Sequence, residues 1–194
     1  FNPERTIATM INAIYHKIRI GIMIIFILSL FTCSGGRPEQ FILSDFESDA
    51  DLDKVQWQCH TLFSIADENA THGHSSLRLE LYPSAYPGIA FELPLRDWRS
   101  YNMLSLDIYN PQGEEISLAV RIDDRKEFPQ FDDRYTESFS LKPGMNHLRI
   151  PLDSLATTGT GRCINLKTIY RCLIFMAQPQ KNNILFLDYV HLAA

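Results

Sequence analysis

Hydrophobic and polar residues alternate along most of this chain, and the alternation falls into short runs separated by turn residues. In Ser75-Ser76-Leu77-Arg78-Leu79-Glu80-Leu81 the leucines share one face of an extended segment and the polar residues the other, as a half-buried strand requires. Leu104-Ser105-Leu106-Asp107-Ile108-Tyr109 and Leu118-Ala119-Val120-Arg121-Ile122-Asp123 repeat the device. Between such runs, Asn110-Pro111-Gln112-Gly113 and Lys142-Pro143-Gly144-Met145-Asn146 read as tight reversals. The pattern predicts strands over 41–47, 55–65, 75–82, 88–93, 103–110, 115–123, 135–142, 145–151, 172–177 and 183–192, with a short helical turn over 165–171. Lacking any long amphipathic helical period, residues 37–194 read as one all-β domain, an antiparallel two-sheet sandwich or barrel.

The first 36 residues follow a different rule. Ile20 to Thr32 is an uninterrupted run of 13 residues, apolar but for Ser29 and Thr32, preceded by His16, Lys17 and Arg19 and followed by Cys33-Ser34-Gly35-Gly36. A membrane-crossing helix needs about 20 apolar residues and the core of a signal peptide about 7–15. The run therefore predicts an export signal or membrane anchor helix. Read from Met10, it resembles a bacterial lipoprotein signal with Cys33 as the lipid-bearing residue; Leu30 suits its position, while Phe31 and Thr32 are bulkier than usual there. The competing reading is an uncleaved anchor. Either one expects the domain to be exported and membrane-tethered, periplasmic or at the cell surface.

Charge narrows the partners. The net charge is −5, and the first 40 residues carry +2 of it, which leaves −7 on the remainder. Phosphate backbones are bound through basic surfaces, so nucleic acid is excluded as a partner. Cys59, Cys163 and Cys172, with Cys33 set aside, form an odd set in which Cys163 and Cys172 are spaced to pair or to remain separate thiols. No nucleophile elbow, phosphate-binding glycine loop or His-Glu-x-x-His motif occurs.

The most chemically loaded stretch is Asp123-Asp124-Arg125-Lys126-Glu127-Phe128-Pro129-Gln130-Phe131-Asp132-Asp133-Arg134-Tyr135. Two Asp-Asp-Arg units flank an aromatic, proline-broken loop. Carboxylates accept from sugar hydroxyls, guanidinium groups donate to them, and rings stack on pyranose faces. Arg121, Asp123, Asp124 and Arg134 are therefore candidate glycan ligands, against the alternative of a salt-bridged solvated loop. Tyr82 and Tyr86, in the exposed-looking Tyr82-Pro83-Ser84-Ala85-Tyr86-Pro87 loop, join them. Trp98 is expected to close one end of the core. His60, His72 and His74 offer a transition-metal set only if their stretch is extended, and Gly73 argues for a turn instead.

Together, Asp45-Phe46-Glu47, a tryptophan about ten residues on, Thr71 to Arg78, Asp97-Trp98-Arg99-Ser100-Tyr101, Lys142-Pro143-Gly144, Arg149-Ile150-Pro151-Leu152 and the closing Leu187-Asp188-Tyr189-Val190 resemble galactose-binding-like jelly rolls, a superfamily that includes many carbohydrate-binding modules. The resemblance covers about residues 41–192. It implies a jelly-roll sandwich and a structural Ca2+ held by Asp45, Glu47 and Asp188 with carbonyls near Thr71 and Gly73, against the alternative that these carboxylates cap strand ends. It also implies a non-catalytic domain that binds a glycan or cell-envelope polysaccharide. Two alternatives stand beside it: an extracytoplasmic structural domain of a larger, VanZ-like membrane protein, and a small glycan hydrolase.

Overall fold

The computed structural model describes residues 39–194, apart from the side chains of Gln56 and Trp57. The apolar run and Cys33 lie outside the described residues. Eleven strands form two antiparallel sheets: β1 (Gln40–Ser44), β2 (Val55–Cys59), β3 (Thr61–Ala66), β4 (Ser76–Leu81), β5 (Gly88–Phe91), β6 (Met103–Asn110), β7 (Ile116–Asp123), β8 (Tyr135–Leu141), β9 (Gly144–Pro151), β10 (Arg171–Phe175) and β11 (Asn183–Ala193). The first sheet runs β3-β4-β11-β6-β9, with β1 also on β11, and the second runs β2-β5-β10-β7-β8. The expected sandwich is thus the observed one. Among the described residues no helix is long and apolar enough to cross a membrane.

Alternation dictates what each sheet buries. Leu77, Leu79 and Leu81 of β4, Leu104, Leu106 and Ile108 of β6 and Leu118, Val120 and Ile122 of β7 all enter one core and are almost fully shielded from solvent. Burying each such side chain is worth about 1.5–3 kcal/mol. Trp98 is completely buried at one end of this core, as expected, where its indole N–H donates to the Leu95 carbonyl at 2.9 Å.

Two expectations change, and one open alternative is decided. The stretch 55–65 is two strands in different sheets, turned at His60, whose φ of 42° is a left-handed corner that a continuous strand cannot contain. The predicted helical turn at 165–171 is a non-helical turn, closed by the Thr168 N–H on the Asn165 carbonyl, before β10 begins at Arg171. Cys163 is exposed and Cys172 buried in the core, so both are free thiols. Burial, and then Asp123, push the Cys172 thiol up to about 12.

β11 is the spine of the first sheet. Residues 183–187 pair with β4 and residues 190–193 with β1. Between these halves Tyr189 (φ 47°) forms a bulge, so that Leu185 and Leu187 face the core before it, and Val190 and Leu192 after it. The Ala194 N–H reaches the Glu39 carbonyl at 2.9 Å, which puts the two ends of the domain side by side.

Candidate functional site

Strand register assembles a groove on the outer face of the second sheet. Ala90, Leu173, Arg121 and Thr136 lie in one row across β5, β10, β7 and β8. The next row is Gly88, Phe175, Ala119 and Ser138. Outward positions on a solvated sheet are ordinarily polar, yet Ala90, Ala119, Leu173 and Phe175 form an apolar cluster of their own, apart from the core. Phe175 passes so closely over β5 that a methyl group at Gly88 would collide with it. Ala119, Leu173 and Phe175 floor a cavity of about 500 Å³, within the usual range for ligand sites of about 300–1,000 Å³.

Aromatic rings frame this floor. Tyr86 is 54% exposed and meets Phe175 edge-on at 5.8 Å. Phe128 and Phe131, 72% and 58% exposed, project from the loop between β7 and β8. The loop carries them because long-range partners brace it. The Arg171 guanidinium donates to the carbonyls of Arg125, Lys126 and Glu127, and lies 4.0 Å over the Phe128 ring. Arg162 forks onto Asp124 at 2.6 and 2.9 Å and reaches Asp133 at 2.9 Å, which in turn holds Arg125 at 2.8 Å.

The expected ligand residues divide accordingly. Tyr86, Arg121 and Arg134 line the groove. Asp123, fully buried, lies under its edge, where Arg121 forks onto it at 2.7 Å on both oxygens and Arg171 approaches at 3.4 Å. Asp124 is not a groove residue: its carboxylate accepts from Arg162 and from the Asn165 N–H. Burial pushes the Asp124 carboxyl up, but Arg162 and the Asn165 N–H pull harder, and the net shift is downward. Adjacent residues leaving a strand diverge, and this separates the two aspartates. Tyr82 also lies elsewhere, with its hydroxyl donating to Glu80 at 2.8 Å. Arg171, Thr136 and Ser138 were not expected. The legible sign was the apolar outward pair Leu173 and Phe175, which marks an outer face built for contact.

The carboxylates expected to hold Ca2+ do different work. Glu47 accepts N–H groups of His74 (2.9 and 3.1 Å) and Ser75 (2.9 Å), and these bonds, Ser75 first, hold its carboxyl below the ordinary range. Asp188 accepts the backbone N–H groups of Thr71 (2.6 Å), His72 (2.8 Å) and Tyr189 (2.7 Å). Asp45 sits 3.6 Å from His72 Nδ1. Ca2+ takes 6–8 oxygen ligands, whereas both long-range carboxylates here are committed to N–H donors, so the donor set does not fit the cation. Among the described residues no three His, Cys, Asp or Glu side chains converge as a metal set. His60 and His74 are exposed, and His72 stacks on Tyr189 at 4.5 Å.

The sandwich has the fold of carbohydrate-binding modules. It is similar to a family 11 carbohydrate-binding module from Clostridium thermocellum, solved in complex with a β-1,3-1,4-mixed-linked tetrasaccharide, at 17% identity and a TM-score of 0.62 over 80% of this chain and 95% of that one. An exo-β-agarase matches with a TM-score of 0.62 at 15% identity, over 79% of this chain and 25% of its own. A family 30 module of a C. thermocellum cellulosomal cellulase matches at 0.53 and 16% identity, over 68% and 82%. No family model and no curated protein matches the chain.

Proposed function

We propose that the chain is a non-catalytic carbohydrate-binding domain and that the groove on its second sheet holds a polysaccharide strand. The observation that carries the reading is the pairing of an apolar floor with the exposed rings of Tyr86, Phe128 and Phe131. Pyranose rings present apolar C–H faces and hydroxyl edges, and such a floor takes the faces while Arg121, Thr136 and Ser138 meet the edges. The fold likeness to a module solved with a tetrasaccharide supports it.

Binding without turnover follows from the same lining. Glycoside hydrolysis uses two carboxyl groups about 5–10 Å apart across the scissile bond, and among the described residues no Asp or Glu lines this groove. Asp123, two residues beyond Arg121 on the same face of β7, is occupied by Arg121 and Arg171.

Isothermal titration of the chain against neutral and acidic plant, algal and bacterial polysaccharides tests this. Binding without release of reducing ends is expected, weakened about tenfold in each of Tyr86→Ala and Phe128→Ala, since a stacked ring contributes about 1 kcal/mol or more. A folded chain that binds no member of the panel would overturn the reading.

In the same reading the apolar run 20–32 carries the domain out of the cytoplasm, and Cys33 anchors it as a lipoprotein of the cell envelope. The support is the length of that run and the basic residues before it. Incorporation of labelled palmitate, abolished in Cys33→Ser, is the expected result.

A further inference from the structure

The geometry points to a charged ligand: the groove selects a polysaccharide that carries carboxylate or sulfate groups, with Arg134 as the residue that reads the charge. This rests on the glycan-binding reading and specifies its substrate class.

Charge in and around the groove is unbalanced. Arg121, Arg134 and Arg171 converge there, and Asp123 is the acid they share. Arg121 and Arg171 both bond that carboxylate, and Arg171 spends its remaining donors on loop carbonyls. Arg134 bonds no carboxylate among the described residues. Its one cationic contact is with the Phe131 ring at 5.3 Å, an attraction of about 0.5–1 kcal/mol. A chain whose net charge is −5 thus keeps an unmatched guanidinium in the groove that takes the ligand.

Two unsatisfied polar atoms sit at the same place. Buried side-chain N and O atoms without a hydrogen-bond partner number six among the described residues, and two of them, Arg134 Nε and Thr136 Oγ1, belong to groove residues. Leaving such groups unpaired costs about 1–3 kcal/mol each, so a site that tolerates them is prepared for a ligand that supplies the acceptors. A guanidinium edge offers two parallel N–H donors, which match the paired oxygens of a carboxylate or sulfate better than a single sugar hydroxyl. Burial, and then the neighbouring Arg121, lower the proton affinity of Arg134 below its ordinary value, against the pull of Asp123 and Tyr86. An arriving anion relieves that strain, and a neutral sugar does not.

The test uses the full chain in neutral detergent and two matched pairs of polymers: polygalacturonate against its carboxyl-reduced form, and κ-carrageenan against its desulfated form. Poly-L-glutamate serves as a charged polymer without sugar rings. At least one charged polysaccharide is expected to bind tenfold or more tightly than its neutral partner, and the pair that shows the preference separates carboxylate from sulfate recognition. In Arg134→Gln the ratio of charged to neutral affinity falls below threefold. In Arg149→Gln, on the opposite sheet, the preference is unchanged. Neutral forms binding as tightly as charged ones would overturn the inference and leave the glycan-binding reading standing. A preference that survives Arg134→Gln, or equal binding to poly-L-glutamate, would overturn it as well. A folded chain that binds none of the polymers would overturn both.

Discussion

The two outer faces of the sandwich begin from the same strand alternation and end in different chemistry. On the first sheet the charged outward residues settle their charges locally, and the apolar Leu62, Ile184, Phe186 and Met145 stand on the same face beside them. Asp107 of β6 meets His147 at 2.7 Å and Arg149 at 3.4 Å on β9, and Arg78 bridges Glu80, which also accepts from Tyr82. On the second sheet the outward positions are apolar in the middle, framed by exposed rings, and carry a guanidinium without a carboxylate. Ion pairs with at least one partner reached by solvent, as His147, Arg149 and Arg78 are, are worth about 0–1 kcal/mol. Apolar outward residues with an unmatched charge stabilise nothing by themselves. What sets the second face apart is the set of exposed rings around its floor and the guanidinium without a carboxylate.

Substitutions separate the braces from the groove they shape. Asp124→Ala strands the Arg162 fork and the Asn165 N–H, and is expected to cost about 3 kcal/mol in urea unfolding. At low temperature, where the variant is folded, its affinity for the selected polysaccharide stays within threefold of the parent. A loss of binding larger than the loss of stability would make Asp124 a contact residue after all.

Filling each face in turn is the direct comparison. Ala119→Trp occupies the groove floor and is expected to weaken glycan binding at least a hundredfold, or about 2.7 kcal/mol. His147→Trp adds the same ring to the first sheet and should leave binding unchanged. Equal losses in the two variants would place the ligand outside the groove.

Acid probes the clamps that hold the ends of the sandwich. The Glu47 and Asp124 carboxyls are both depressed, so the stability they contribute is present above the ordinary carboxylate pKa of about 4 and is lost as pH falls through their folded values. Asp188 moves upward, through burial first, and its contribution runs in the opposite direction. With Asp51, Glu80 and Asp97 depressed as well, five carboxyls stand against one raised, and thermal unfolding is expected to be level from pH 5 to 7 and to drop below pH 4. The smallest expected effect is that of calcium. Because N–H groups occupy Glu47 and Asp188, adding 1 mM Ca2+ or chelator should move the melting temperature by less than about 1 °C, where saturated binding to the native state would raise it by several degrees.

The fold was legible because alternation is local: Leu77-Arg78-Leu79-Glu80-Leu81 announces its own strand. The corner at His60 was not, since the apolar period passes through it unbroken and only a backbone angle reveals the change of sheet. The site shows the same division. Arg121, Tyr86 and Arg134 could be singled out by residue type beside a loaded loop. Whether Asp123 or Asp124 belonged to the groove depended on Arg162 and Arg171, 38 and 48 residues further along, and no local pattern encodes those partners.

The hydrogen bond between Ala194 and Glu39 makes this domain close to a ring in the topological sense. A few linking residues would join its ends, and the chain could then be opened at the reversal around Gly113, where a side chain added to the glycine would point into open space. The order in which the strands are synthesised would change while every pairing among them was retained, and the groove would ride unaltered in a host protein that received the domain as a loop insertion.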